Sequence, residues 1–341
     1  MCFNPKPAFI SDIYTNKITY VNHKSKDGKN REILPNPNYG KLKRKIKFLN
    51  ASEYEAYKIN PTYYSNQKEF IMIPCGKCLQ CRISHANDWA VRCILESREY
   101  KNNCFVTLSY NPKNLPANAT LVVKDLQDFM KRLRKDNKGL RYFACGEYGD
   151  KTLRPHYHIG FFNYKPNDLK FFKYNKCRDK LYLSKYLANK WGKGFIIVGD
   201  LTLASAGYIA RYTQKKIYNN HDKIISELGR HKEFIVSSRR PGIGMNYFKN
   251  KKHFEEIKNN FGILIKENDK VQMKNIPRTF RNYWKEIDAL DYFTSAEKSR
   301  QENKKIWKEK LDKLGINEIE YVKRQKELNY DRLKKLKRET F

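Results

Sequence analysis

Two histidines stand two residues apart in Pro155-His156-Tyr157-His158-Ile159-Gly160-Phe161-Phe162. In a β-strand, residues i and i+2 point to one face, so both imidazoles can reach one metal ion. Spacing alone leaves a second reading open, two histidines on the solvated face of an edge strand. The context favours the metal. Tyr142-Phe143-Ala144-Cys145-Gly146-Glu147 reads as a neighbouring strand that ends in a carboxylate, across a short connection holding Gly149-Asp150 and Pro155. His156, His158 and Glu147, with remaining positions open to water or a phosphate oxygen, suit Mg²⁺ or Mn²⁺ acting as a Lewis acid. Arg154, just upstream, is placed to meet a phosphate.

A second constellation is Gly207-Tyr208-Ile209-Ala210-Arg211-Tyr212-Thr213-Gln214-Lys215-Lys216. On a helix, Tyr208 and Tyr212 share a face one turn apart. Tyr182 and Tyr186 have the same spacing, but there an apolar helix face explains both rings by packing. The first pair sits instead among Arg211, Lys215 and Lys216, cations that favour a phenolate and attract a phosphodiester. A phenol with a pKa near ~10 is a weak nucleophile at neutral pH and needs such help, or a metal on the phosphate. Attack on a phosphodiester would give a phosphotyrosine that conserves bond energy and can be re-attacked by a free 3′-hydroxyl. Two tyrosines on one face allow one to cut while the other holds an earlier end.

Cys75, Cys78 and Cys81 form Cys-x₂-Cys-x₂-Cys, which reads as a structural Zn²⁺ site with a fourth ligand from elsewhere. Cys2, His85 and Cys93 are candidates, and Cys2 is favoured because it lies outside the expected core. An iron–sulfur cluster is less apt, since no Cys-Pro follows Cys81. Three reduced thiols packed in a turn are the plain alternative.

These residues need elements to hold them. The sequence predicts a helix over 85–100, a strand over 104–110 and an amphipathic helix from 122 with apolar positions Val122, Leu126, Phe129, Met130 and Leu133. Strands are expected over 140–146, 156–162, 194–199 and 233–237, and helices over 181–191 and 204–217. The class is α+β, with an antiparallel sheet flanked by helices. Three regions are expected: a loop-rich, cysteine-bearing segment over 1–84, a core over 85–250, and a basic helical region over 251–341. The 341 residues carry a formal net charge of +34, which calls for a polyanionic partner. With 14% aromatic and 40% hydrophobic residues, the chain is no disordered basic tail. No apolar run is long enough to span a bilayer, and the start resembles neither a signal nor a transit peptide, so a soluble intracellular nucleic-acid protein is expected. The basic runs 41–47 and 296–340 would add salt-dependent affinity for a phosphate backbone. Arg239-Arg240-Pro241-Gly242-Ile243-Gly244 joins two guanidinium groups to a flexible turn that suits a phosphate contact, or is a plain turn after a strand.

Set side by side, the His-Tyr-His segment and the downstream tyrosine pair resemble HUH-type rolling-circle replication initiators, and more closely those of microviruses of the gokushovirus branch. The resemblance rests on Phe105-Val-Thr-Leu-Ser-Tyr110, on Gly146-Glu147-Tyr-Gly149 with 154–162, and on 207–216. Pro74-Cys-Gly-Lys-Cys-Leu-Gln-Cys-Arg82 and 238–244 also look like that branch. The resemblance covers about residues 70–250. It implies an HUH endonuclease fold with the histidines on a central strand and the tyrosines on a neighbouring helix. It also implies nicking of one strand at a viral origin, attachment to the 5′ phosphate, and rejoining of a unit-length circle. His156 and His158 would then bind the metal, Tyr208 and Tyr212 would alternate as nucleophiles, and Lys215 or Lys216 would position the scissile phosphate. Arg154, Arg211, Arg239 and Arg240 would contact DNA. The partners implied are origin DNA, as replicative form and single strand, and host replication machinery such as a helicase, in the bacterial cytoplasm. No membrane and no small-molecule substrate are expected. Related relaxases or transposases share this chemistry. A non-catalytic, zinc-bearing nucleic-acid-binding protein is the rival of a different class, separated by whether a covalent adduct forms.

Overall fold

The computed structural model describes residues 6–14, 20–24, 31–35, 42–60, 69–76, 78–149, 152–175, 178–215, 225–267 and 270–317, with short pieces between 320 and 331. The chain divides into two compact units, Met1–Cys81 and Arg82–Phe341. In the first, β1 (Lys6–Tyr14), β4 (Leu42–Phe48) and β5 (Glu69–Ile73) form an antiparallel sheet in the order β4-β1-β5, while β2 (Tyr20–Lys24) pairs with β3 (Arg31–Pro35). Strands therefore stand where the prolines suggested loops. The basic run is the reason in β4: Lys43, Lys45 and Lys47 alternate with Leu42, Ile46 and Phe48, a period of two. Helix α1 (Ala51–Ile59) starts at a capping box, where Asn50 accepts from the Glu53 amide and Glu53 from the Asn50 amide.

The second unit is built on a seven-stranded antiparallel sheet. Helix α2 (Leu79–Arg98) precedes it, beginning before His85 and taking in Cys81. Then follow β6 (Asn103–Tyr110), α3 (Val123–Asp136), β7 (Arg141–Tyr148), β8 (Pro155–Phe162), β9 (Lys170–Tyr174), β10 (Lys180–Leu183), α4 (Lys185–Trp191), β11 (Gly194–Gly199), α5 (Leu203–Lys215) and β12 (Phe234–Ser237). The sheet order is β12-β7-β8-β6-β11-β10-β9, which puts the His-Tyr-His strand near its middle. Alternation gives each strand two jobs. Val106, Leu108, Tyr157 and Ile159 face one core with the apolar stripe of α3, Leu126, Phe129, Met130 and Leu133. Phe105, Phe143, Cys145 and Phe162 face another with Ala206, Ile209 and Ala210 of α5.

The expected helix over 181–191 is two elements. Tyr182 belongs to β10 and Tyr186 to α4, so these tyrosines never share a helix face. Ser184 breaks the run: its hydroxyl accepts from the Leu187 amide and donates to Asp168, capping α4. Residues beyond 245 are likewise more than a basic helical tail. Here α6 (Met245–Lys249), α7 (Lys251–Asn260), the hairpin β13 (Ile263–Glu267)–β14 (Lys270–Lys274), α8 (Arg278–Ile287) and α9 (Ala289–Leu314) follow. Phe248, Ile257, Ile265, Phe280 and Trp284 from this stretch share a core with Val91 and Leu95 of α2. Among the described residues, no helix is long and apolar enough to cross a membrane.

Candidate metal centre and tyrosine

The strand register assembles the site. His156 lies opposite Glu147 on β7 and Ser109 on β6, and His158 lies opposite Cys145 and Thr107. Both imidazoles therefore emerge on the α5 side of the sheet, as their spacing predicts. His156 Nε2 lies 2.9 Å and His158 Nε2 3.1 Å from the same oxygen, Glu147 Oε1. The three groups place one ligand atom each within 4.8 Å of one another. Glu147 and His158 are buried, and His156 is partly exposed. Burial alone would push the Glu147 carboxyl up, but hydrogen bonds and charge from the two imidazoles overcome it and hold it well below the usual carboxylate range.

The other ring nitrogens show that this group fits a cation. His156 Nδ1 is 3.1 Å from the Arg154 carbonyl, which only accepts, so Nδ1 carries the proton. A neutral His156 then turns the Nε2 lone pair toward a carboxylate oxygen, an acceptor facing an acceptor, which a cation relieves. His158 Nδ1 is held 2.9 Å from Thr107 Oγ1. An outer contact on each imidazole, aiming its Nε2 inward, is the usual arrangement around a metal. The ring of Phe105 stacks on His158 with centroids 5.5 Å apart.

Tyr208 completes the cluster. Its hydroxyl donates to Glu147 Oε1 at 3.1 Å, and its ring stands edge-on to His158, centroids 4.9 Å apart. Helix α5 reaches this depth because it crosses β8 at Gly160, where a Cβ would lie 3.2 Å from Leu201 Cδ1 and 3.6 Å from Ile209 Cδ1. Tyr157, between the two histidines, points to the opposite face. Its hydroxyl is bonded to Tyr110 and to the Val122 backbone, and burial pushes its phenol up to about 12. That phenol is structural.

Tyr212, Arg211 and Lys215 belong to α5, but their side chains lie outside the described residues, as do Lys216 and Cys2. Arg154 donates from Nη2 to the Tyr110 carbonyl at 2.9 Å, and its own carbonyl orients His156, so it braces the site. Arg239 and Arg240 are exposed, whereas the turn after them is built into the protein. Arg92 donates to the Ile243 carbonyl, Arg141 to the Pro241 carbonyl, and the buried Glu96 accepts from both Arg141 and the Gly244 amide. Sequence reading missed Thr107 as a partner of His158, Arg154 as a brace and the Glu96–Arg141 pair. Thr107 was detectable as the residue in phase with Phe105 and Ser109 on β6.

In the first unit, Cys75, Cys78 and Cys81 form a second metal-competent group, with the Cys78 amide 3.3 Å from Cys75 Sγ. Cys93 is buried in the α5-side core, where burial pushes its thiol up, away from the thiolate a metal requires.

The second unit is thus a mixed α/β scaffold with a two-histidine, one-carboxylate group on a central strand and a tyrosine hydroxyl at its edge. Residues 103–217, from β6 through the end of α5, match the family model described as the replication-associated protein ORF2 family. The chain is 33% identical over 261 residues to the replication-associated protein ORF2 of Spiroplasma virus 4, covering 72% of this chain and 78% of that protein. It is 31% identical over 249 residues to the replication-associated protein VP4 of Bdellovibrio phage phiMH2K, covering 68% and 76%. It is 32% identical over 195 residues to the replication-associated protein ORF4 of Chlamydia phage 1, covering 54% and 48%. The chain belongs to this family of phage replication-associated proteins. No solved structure matches it.

Proposed function

We propose that the protein is an HUH-type, metal-dependent nickase that starts rolling-circle replication of its phage at the viral origin. One observation carries this reading: the Tyr208 hydroxyl meets the same carboxylate oxygen as both histidine Nε2 atoms. A nucleophile and a metal-competent group that close could engage one phosphodiester between them.

His156, His158 and Glu147 would hold Mg²⁺ or Mn²⁺, which when bound draws charge from the scissile phosphate and leaves phosphorus more electrophilic. The Tyr208 oxygen forms a bond to phosphorus while the bond from phosphorus to O3′ breaks. The phenolic proton leaves to solvent and the departing 3′ oxygen takes one up, so the number of phosphoester bonds is unchanged. Glu147 orients the phenol before attack by accepting its proton in a hydrogen bond. The freed 3′-hydroxyl primes synthesis, and the reverse reaction, a 3′-hydroxyl attacking the phosphotyrosine, closes the circle. Tyr212, one turn further along α5, is the second nucleophile, and Lys215 or Lys216 positions the phosphate. Arg211, Arg239 and Arg240 contact the DNA backbone. Cys75, Cys78 and Cys81 would hold a structural Zn²⁺ with Cys2 as the fourth ligand. Origin DNA and a host helicase are the partners, in the bacterial cytoplasm.

The test is a nicking assay on supercoiled replicative-form DNA with Mn²⁺ or Mg²⁺, beside EDTA and Tyr208→Phe, Tyr212→Phe and His156→Ala variants. The expected product is a metal-dependent open circle with protein on its 5′ end, absent in His156→Ala and in the double tyrosine variant. Binding to cognate origin DNA with neither cut nor adduct would leave the non-catalytic reading standing.

A further inference from the structure

Exposed aromatic side chains of the main sheet gather on β9 and β11: Phe171, Phe172, Tyr174 and Phe195 among the described residues. Phe195 is 63% exposed, unusual for a phenylalanine on a seven-stranded sheet. Its register ties it to the metal group. Phe195 lies opposite Ser109, Ser109 opposite His156, and His156 opposite Glu147. Directly opposed residues share a face, so Phe195 stands in the row of the metal-competent residues, about 10 Å from His156 at the backbone.

The same face continues outward. Leu181 Cδ2 lies 3.5 Å from where a Gly199 Cβ would be, and Gly199 is opposite Phe105, whose ring stacks on His158. Leu183 shares that face by alternation. Its partner on β9 is Lys170, and the partner of Leu181 is Lys173. Lys173 Nζ also sits 5.4 Å from the centre of the Phe172 ring. From the metal group to the sheet edge the order is therefore imidazole, serine, aromatic ring, aliphatic side chain, ammonium.

We propose that this row is a track for single-stranded DNA, with a base stacked on Phe195 and backbone phosphates on Lys170 and Lys173. It deepens the reading of the protein as an origin nickase and rests on it. Flat apolar rings interleaved with cations match a polymer of flat bases and phosphates, and stacking accepts any base. A second copy pairing along β9 fits less well, because Lys170 and Lys173 are the edge lysines that discourage strand-to-strand association.

The test is binding of a short single-stranded oligonucleotide carrying one fluorescent base analogue to the full chain in EDTA, so that no cutting occurs. Phe195→Ala should weaken binding by roughly tenfold and abolish the stacking quench, while Phe195→Trp retains both. Lys170→Ala with Lys173→Ala should lower the slope of log affinity against log salt by about 1.4. Unchanged affinity and quench in Phe195→Ala would overturn the track. So would a shift from dimer to monomer in sedimentation on the same substitution, which would make the patch an interface between copies. Because the readout needs neither metal nor Tyr208, intact binding without nicking sinks the nickase alone. Nicking that survives with Phe195→Ala binding like the unsubstituted protein sinks the track alone.

Discussion

Glu147 Oε1 is where the chemistry of the site converges, and it is held there by residues with no chemistry of their own. Two imidazole nitrogens and a phenol meet on it, while the Arg154 carbonyl and the Thr107 hydroxyl fix the far sides of the rings. Thr107→Val keeps the shape of β6 but removes the partner of His158 Nδ1. Its expected effect is a roughly 10–100-fold loss of Mn²⁺ affinity, read by electron paramagnetic resonance titration, with the fold intact. Glu147→Gln should lose more than Thr107→Val, because a neutral amide removes the charge as well as the orientation. Equal affinity in both variants would remove Glu147 from the ligand set.

At the scale of elements, the approach of α5 to β8 decides whether Tyr208 reaches the site. Gly160→Val places methyl groups where even a Cβ would meet Leu201 at 3.2 Å. The overpacking should cost about 1–3 kcal/mol in urea unfolding, and covalent attachment to DNA should fall further than stability explains. The 238–244 turn depends on a different contact. Glu96 is buried against Arg141 and the Gly244 amide, whereas Lys124 and Asp128 pair on the exposed surface of α3. Arg141→Met leaves a buried carboxylate uncompensated and should cost about 3–5 kcal/mol, while Lys124→Ala should cost no more than about 0.5 kcal/mol. Comparing the two urea midpoints checks the contrast. Gly244 itself sits at φ +76°, and a Cβ there would lie 2.8 Å from the Arg92 carbonyl, so Gly244→Ala is strained twice over.

For the whole molecule, a charge of +34 dominates encounters with DNA. Affinity for any sequence should fall steeply as salt rises from 50 to 200 mM, by about a thousandfold if six phosphates are neutralised, measured by fluorescence anisotropy. The cysteine group makes a separate prediction: the purified full chain should contain one equivalent of zinc by elemental analysis, lost in Cys78→Ser.

What the sequence determined by itself was periodic or local. The two-residue spacing put His156 and His158 on one face of a strand, the stripe 126–133 marked α3, and the Cys-x₂-Cys-x₂-Cys run was compact before any fold was known. These features need only the geometry of one element, which a few consecutive residues dictate. Tertiary structure decided what depends on pairing between distant segments. It split 181–191 into β10 and α4, because strand pairing and the Ser184 cap outweighed an apolar pattern that either element could satisfy. It drew residues beyond 245 into a core with α2, since burying Phe248, Phe280 and Trp284 outweighs the basic average of that stretch. It made Arg154 a brace and separated Tyr208 from Tyr157, two phenols alike in sequence, by sending one to the metal face and burying the other. Composition and spacing carry no information about such choices, because each is settled by which partner comes within hydrogen-bonding distance once the strands are in register.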